Sequence, residues 1–548
     1  MTQQPGSDSP RVDVVVVGAG FAGLYAVYRL RSRGFNVRGI ERAPGVGGTW
    51  HWNRYPGARC DIESLDYCYG FDDELLADWR WTERYAAQPE ILAYLDHVAD
   101  RFDLRSAFDF NTSVTSAIWN EAATSWLVTT DRGERIDCTY LVMATGNLSS
   151  PQPPAIDGLN DFAGTWLHTG NWPTEPVELA GKRVAVVGTG SSGIQTCTAI
   201  APIVDELYVL QRTPNYSMPA QNRRLDEDEV SGVLTNYRER RTLCEWSDAG
   251  TPMPDPTESA LSVSADERRR RYEQGWQMGG ISSLSFAFND MFRSEEANGF
   301  AQDFAREQIR LMVQDPAVAE LLSPHHHIGT KRTCVDTGYY QIYNRPNVHL
   351  VDLKSEPVVR IDTDGIETTA QHVDVDVIIF AIGFDAITGA LADVEIRGVD
   401  GITLNEVWAN GPVGYLGVQV AGFPNMFTIT GPGSPSVLSN MVISIEQHVD
   451  WIADAMVHMR AIGFDRIQAT AAAQQRWMAH VVELADQTLY PKANSWYVGA
   501  NIPGRERLFS VYIAGCGPFR AECNRVAEAG YEGFDLSRGT TYRESAHV

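Results

Sequence analysis

The chain of 548 residues holds no CxxC pair. Its eight cysteines are scattered from Cys60 to Cys523, and none stands at zinc-ligand spacing from a histidine. These absences exclude a flavin-dependent disulfide reductase and a zinc module. They predict reduced thiols in a cytoplasmic protein. Long hydrophobic runs are missing too, and residues 14–17 and 377–380 are far too short to cross a bilayer, so no membrane insertion is expected. The opening MTQQPGSDSPRVD lacks the apolar core of a signal peptide. Positive charge is scarce, with 45 Lys and Arg against 70 Asp and Glu and a formal net charge of −25. A field of that sign repels phosphate, which excludes a general binder of nucleic acid or of an anionic membrane. His325, His326 and His327 are consecutive. Three neighbours cannot all point at one ion from regular structure, so no metal site is predicted.

What the chain does contain is one nucleotide-binding pattern, twice. Residues 12–17, VDVVVV, read as a strand covered on both faces of a parallel sheet. The run enters Gly18-Ala19-Gly20-Phe21-Ala22-Gly23, then a helical stretch, then a strand that ends on Glu41. Gly18 permits the tight turn and Gly20 lets backbone approach a pyrophosphate. Gly23 lets the helix pack closely, with its first N–H groups facing the phosphates. A carboxylate at Glu41 accepts hydrogen bonds from a ribose and repels a 2′-phosphate, so this half suits FAD or NAD. The second copy is Gly188-Thr189-Gly190-Ser191-Ser192-Gly193, and its following strand ends Gln211-Arg212-Thr213. A guanidinium there forks onto a 2′-phosphate, so this half suits NADPH.

The stretch 162–173, FAGTWLHTGNWP, lies between the two patterns and must set how two cofactors face each other. Residues 47–61 are too rich in glycine and aromatics for a regular helix and read as a loop closing over a planar ligand. Trp50 and Trp52 suit core packing as well, and Asp61 suits a helix N-cap for the stretch behind it. Residues 80–105 read as helix, and 109–140 alternate as an antiparallel meander. Residues 225–325 read as helical, with arginine runs at 238–241 and 268–271 on solvated faces among acids. A strand within 373–386 reads as the edge of a cofactor sheet, 445–488 as one long helical stretch, and the tail beyond Asp535 as polar and mobile. The expected fold is α/β, with two Rossmann-like dinucleotide-binding domains and a mostly helical insertion. Expected parts are 1–150 and 385–548 for FAD, 151–224 and 328–384 for NADPH, and 225–327 for the insertion.

With both glycine motifs, the linker and the Gly48-x-Trp50…Tyr55-Pro56-Gly57…Asp61 stretch in hand, the chain resembles the single-chain, FAD- and NADPH-dependent Baeyer–Villiger monooxygenases. Phe162, Gly164, His168, Trp172 and Pro173 match that family's fingerprint, and the likeness covers nearly the whole length. Within the family it looks most like the branch acting on steroid, phenyl and bulky cyclic ketones. The resemblance implies that NADPH reduces FAD and that dioxygen then serves, through a flavin peroxide, to turn a ketone into an ester or lactone. It implies Arg332 as the catalytic cation with Asp61 as its acidic partner, and Lys331 and Arg212 on the 2′-phosphate. To cofactor contact it assigns the two glycine motifs with Glu41, Gln195 and Thr213, and also Gly48, Thr49, Trp50, Tyr55, Val114, Thr145, Met441 and Trp496. Ser436, Val437, Leu438 and Met441 fall where the family lines its ketone pocket. His168 is implied to couple domain motion to catalysis, a satisfied structural histidine being the equal alternative. The partners implied are a small ketone and O2, with a monomer or homodimer expected.

Overall fold

A computed structural model describes residues 11–500 and 507–539. Valines 14, 15 and 16 are wholly buried in the strand Arg11–Val17, which pairs in parallel with Val37–Ile40 and Arg135–Met143. That is why the strand reads as an unbroken apolar run rather than an alternating one. The eight-stranded sheet runs, in order, Glu395–Arg397, Val114–Asn120, Ser125–Thr130, Arg135–Met143, Arg11–Val17, Val37–Ile40 and Phe108–Asp109, with Met426–Thr428 also bonded to Arg135–Met143. Val114–Asn120, Ser125–Thr130 and Arg135–Met143 form the antiparallel meander that their alternation predicts. Helix Phe21–Ser32 covers one face and packs on Met441–Ile462.

A second, five-stranded parallel sheet has the order Val348–Asp352, Glu206–Gln211, Arg183–Val187, Val377–Phe380, Thr165–His168. Val377–Phe380 is therefore an interior strand, not the expected edge. All four of its residues are buried, as a strand flanked on both sides and covered on both faces should be. The edge belongs to Thr165–His168, from the stretch expected to be a connector, with Phe380 opposite His168.

Residues 225–325 form helices Glu227–Thr235, Tyr237–Trp246, Ala265–Met278, Glu295–Met312 and Pro316–Leu322. Asp226, Ser264, Ser294 and Asp315 cap four of them through their side chains, satisfying first-turn N–H groups. The 268–271 run does lie on a solvated face, where Arg269, Arg270 and Arg271 pair with Glu258, Glu267 and Glu307. The 238–241 run does not. Arg240 clamps the buried Asp66 and Arg241 is itself buried against Glu446, because this face of Tyr237–Trp246 packs on residues 66–70 and on helices Met441–Ile462 and Cys516–Glu528 instead of water.

Other departures have local causes. The expected helix over 445–488 is two, Met441–Ile462 and Ala471–Asp486, because Gly463 at φ +69° ends the first and Arg466–Ala469 turns into a strand. That strand pairs with Phe534–Ser537, so the tail is ordered through Ser537; the rest of the expected mobile tail, from Thr540, lies outside the described residues, as do residues 1–10 and 501–506. Within 47–61, Thr49–Trp52 makes one helical turn, and no helix follows Asp61 for it to cap. All eight cysteines are free and buried. Among the described residues no helix is long and apolar enough to cross a membrane, and no three acidic, His or Cys side chains are placed to hold a metal.

Candidate active site

The two glycine turns repeat one geometry. Gly18 has φ +104° and Gly188 +111°, a region that side chains rarely enter. A Cβ on Gly18 would lie 2.6 Å from the Ala144 carbonyl oxygen, and one on Gly188 2.5 Å from that of Ala381. The third glycines are tighter still: a Cβ on Gly23 would stand 1.8 Å from the Gly18 oxygen, and on Gly193 2.1 Å from that of Gly188. Around Gly190 nothing lies within 4 Å, and Gly20 meets only Gly48, at 3.4 Å. Helices Phe21–Ser32 and Ser191–Ile200 begin there without a side-chain cap or an acid in the first turn. Their first N–H groups are thus free for phosphate, and the residues fit a dinucleotide at each turn.

Around the first turn, Glu41 is buried and its two oxygens accept the N–H groups of Ala19 at 2.6 Å and Ala43 at 2.7 Å. Burial raises its pKa, and those donors work against the rise. Thr145 follows Ala144 behind Gly18, while Val114 is buried at the start of the meander, two residues past the Thr112 N–H that bonds the Glu41 carbonyl at 3.0 Å. Phe21 and Ala22 are buried at the head of the helix, the Phe21 ring against Tyr67 and Tyr69. At the second turn Thr189 donates to the Thr213 carbonyl at 3.1 Å, and Ser191 approaches the Cys334 sulfur at 3.5 Å. Lys331 has its pKa lowered by burial and then by the charges of Arg212 and Lys354. Among the described residues, neither Arg212 nor Lys331 makes an ion pair. Unpaired cations gathered in a protein of net charge −25 suit a phosphate.

The aromatic loop joins the two halves. Gly48, at φ +53°, lies against Gly20, and the Trp50 indole donates to Tyr67 at 3.2 Å. Thr49 opens the single helical turn that carries Trp50. The Tyr55 hydroxyl donates to Gln195 at 2.8 Å, and Gln195 donates to the Arg59 carbonyl at 3.1 Å. The fingerprint docks on the same loop, its Trp172 N–H donating to the Trp52 carbonyl at 3.2 Å. Trp172 is buried, Pro173 is exposed, and Phe162 packs under the second sheet beside Phe380. Gly164 leaves room for the Asp376 carbonyl, 2.4 Å from where a Cβ would be. His168 is buried, its Nδ1 accepting the Gly170 N–H at 2.9 Å, and burial lowers its pKa. Its neighbour Thr169, unmarked by the sequence, donates to Ser192 in the second glycine turn at 3.2 Å.

Arg332 sits where these parts meet. Its Nε and Nη2 donate to the two oxygens of Asp61 at 2.9 and 2.8 Å, and Nη1 donates to the Val437 carbonyl at 2.6 Å. Of the five N–H donors of a guanidinium, three are spent on Asp61 and Val437, and another faces the Tyr497 hydroxyl. Burial works against its charge, but Asp61 outweighs burial and the net pKa shift is upward. The cation is permanent at any working pH. Val437 also belongs to an apolar cluster with Ala386, Ile387, Tyr497 and Phe509, flanked by Leu148, Phe292, Leu438, Met441 and Trp496. Ser436 is buried at φ +45°. Asn147 pins it at 2.6 Å and holds the Thr430 carbonyl at 3.2 Å. Sequence reasoning missed Asn147 and Tyr497, although both adjoin marked motifs. The Tyr497 phenol, raised in pKa by burial, is lowered again by Arg332 beside it.

A permanent, doubly anchored cation beside an apolar cluster, between two dinucleotide turns, suits a flavoprotein oxidoreductase that acts on a neutral polar bond. Known proteins agree. The family described as pyridine nucleotide-disulphide oxidoreductase matches residues 12–229. A Baeyer–Villiger monooxygenase of Pseudooceanicola batsensis is 44% identical, with 95% of each chain covered. The solved structure of an oxidised steroid monooxygenase bound to NADP is 51% identical, covers 97% of this chain and 100% of its own, and superposes with a TM-score of 0.93. That of a cyclohexanone monooxygenase from Rhodococcus sp. Phi1 bound to NADP+ is 41% identical, with the same coverage and a TM-score of 0.95. The chain belongs to the Baeyer–Villiger monooxygenases. It is an FAD- and NADPH-dependent enzyme that uses dioxygen to convert ketones into esters or lactones.

Proposed function

We propose that the ketones are bulky cyclic, aryl or steroid ones, and that Arg332 is the catalytic cation. The observation that carries this reading is the Arg332 fork: three donors are spent on Asp61 and Val437, and the rest of the guanidinium faces Tyr497 in the apolar cluster that holds Val437. The balance is ketone, O2, NADPH and a proton giving ester or lactone, water and NADP+. Bound FAD and NADPH supply the hydride and dioxygen chemistry. The chain supplies placement and charge. Arg332 stabilises negative charge that develops on oxygen, and its cost of desolvation is met beforehand by Asp61. Asp61 also fixes the orientation of the guanidinium through its two-oxygen fork.

Arg212 and Lys331 grip the 2′-phosphate, while Glu41 and the first glycine turn hold the FAD ribose and pyrophosphate. Gly188, Thr189, Gly190, Ser191 and Gly193 cradle the second pyrophosphate. Ser436, Val437, Leu438 and Met441 line the ketone pocket, and Trp496 closes it on the nicotinamide side. His168 and its strand transmit movement between halves. The FAD part comprises 1–150 and 385–548, and the NADPH part 151–224 and 328–384. Steroid and cyclohexanone relatives support the bulky-ketone class. Reduced, buried thiols support a cytoplasmic setting, with a monomer or homodimer as the working form.

The test is NADPH consumption across a panel of cyclic, aryl and steroid ketones, with amines and sulfides as competing substrates, and product mass spectrometry. Esters or lactones carrying one added oxygen are expected from the bulky ketones. Oxygenation confined to amines or sulfides overturns the reading.

A further inference from the structure

Arg240 and Arg241 have no part in the chemistry above, yet both leave water. Arg240 clamps Asp66 with Nε and Nη2, each at 2.7 Å. Arg241 pairs with Glu446 through Nη2 and donates from Nη1 to the Cys68 carbonyl at 3.3 Å. Glu446 accepts the Gly70 N–H on its other oxygen at 2.8 Å. Arg241 and Glu446 are 6% and 8% exposed. A Cβ on Gly70 would stand 2.8 Å from Arg241 Nε, so the absent side chain makes room for the guanidinium. At the head of Glu446's helix, Asn440 donates to the Asp66 carbonyl at 2.7 Å and accepts the Val442 N–H at 3.1 Å.

These contacts join the same two stretches that Arg332 joins. Arg332 spans Asp61 and Val437; Arg241 spans Cys68 and Glu446, further along both. A buried ion pair is a weak source of net stability, because desolvation offsets the attraction. What it does enforce is geometry, since a small displacement strands a charge. We propose that Arg241 and Glu446 are positioning residues that set the separation of the Asp61 and Val437 stretches, and so fix where the Arg332 guanidinium points. The inference rests on the reading of Arg332 given above.

The test replaces both charges at once, Arg241→Met with Glu446→Leu, since apolar side chains of similar size in place of a buried pair preserve folding. The FAD-loaded full chain is compared with its parent. Flavin reduction by NADPH under nitrogen should stay within about twofold, while ester formed per NADPH consumed falls roughly 10-fold, the scale of a sub-ångström to 1 Å misplacement. The ratio of regioisomeric lactones from a 2-substituted cyclic ketone should shift. Hydrogen exchange should quicken at residues 61–70 and 436–446 and not in the strand of residues 12–17. Gly70→Ala, which pushes on Arg241 with both charges kept, should show the same pattern more weakly and serves if the double variant does not fold. Parental yield, regioisomer ratio and exchange in either folded variant overturn the proposal, as does a flavin reduction rate that falls in step with yield. A parent that oxygenates no ketone instead refutes the Arg332 reading, and the exchange experiment still reports on the separation.

Discussion

Asp61 meets Arg332 with both carboxylate oxygens, at 2.9 and 2.8 Å, in the side-on fork that only a guanidinium offers. The pair spans 271 positions of sequence, from the first glycine half to the stretch after the helical segment. Because the fork sets orientation and the guanidinium supplies the charge, charge and direction are separable. Arg332→Ala should leave flavin reduction by NADPH near the parental rate and lower ester formation by roughly 10²–10³-fold, the usual loss for one preorganised donor. Arg332→Lys keeps the charge without the fork and should recover little. Stopped-flow absorbance for the flavin and chromatography for the ester separate the two steps; equal losses in both would remove Arg332 from the oxygenation step.

Arg212 and Lys331 make no ion pair among the described residues, and burial, then the charge of Arg212, lowers the pKa of Lys331. A 2′-phosphate resolves that repulsion; a 2′-hydroxyl does not. Arg212→Ala should therefore raise the KM for NADPH by about 10- to 100-fold, the worth of a charge-assisted hydrogen bond at roughly 1.5–3 kcal/mol, and leave that for NADH nearly unchanged. Parallel losses for both coenzymes would place the phosphate elsewhere.

Much of this was legible in the residues, for physical reasons. Glycines at 18, 23, 188 and 193 are demanded by backbone contacts under 3 Å, so their spacing announces the turn. Arg332 and Asp61 were legible only through the resemblance, since no local pattern predicts a pairing across 271 positions. The burial of Arg240 and Arg241 was not legible. A charged run looks alike on a solvated helix and on one whose acidic partners, Asp66 and Glu446, arrive from distant segments. The edge strand Thr165–His168 was hidden too, because four residues with two exposed and two buried carry little periodicity. Tyr497 adjoins the marked Trp496, yet its burial beside Arg332 depends on the fold of a loop.

His448 is buried on the Phe519 ring, with Nδ1 accepting the Thr430 N–H at 3.0 Å. Burial, then the charge of Arg520, holds its pKa down at about 3, and burial with Lys331 does the same for His326. Unfolded, both return to about 6.5. Between those values the unfolded chain binds more protons, so stability is complete above pH 6.5 and drains as pH falls toward 3. The loss is at most about 1.4 kcal/mol per pH unit for each histidine. Denaturant melts from pH 7.5 down to pH 5 should show the fall, and His448→Asn, which keeps an acceptor for Thr430, should flatten it. Carboxylates titrate in both proteins and cancel in the difference, so identical slopes would clear His448 of the effect.

Gly57 stands at φ +82°, and a Cβ there would lie 2.5 Å from the Gln195 carbonyl oxygen and 2.9 Å from the Ala199 methyl. Tyr55 and Arg59 grip the Gln195 side chain on either side of it, at 2.8 and 3.1 Å. The loop of the first half thus rests directly on helix Ser191–Ile200, whose N-terminus faces the second dinucleotide turn. Gly57→Ala must strain the backbone and push that helix away, at a cost of roughly 1–3 kcal/mol. Tyr55→Phe removes one hydrogen bond and leaves the spacing intact, at about 1 kcal/mol. Hydride transfer depends on the approach of the two cofactors, so Gly57→Ala should slow flavin reduction by roughly 10- to 100-fold and Tyr55→Phe by far less. Asp61, which orients Arg332, follows on the same loop, so Gly57→Ala should also move the product ratio from a 2-substituted ketone, while Tyr55→Phe leaves it parental. Flavin reduction at the parental rate in folded Gly57→Ala would mean that cofactor approach is set elsewhere, with the Trp172 N–H on the Trp52 carbonyl and the Arg332–Asp61 fork also linking the halves.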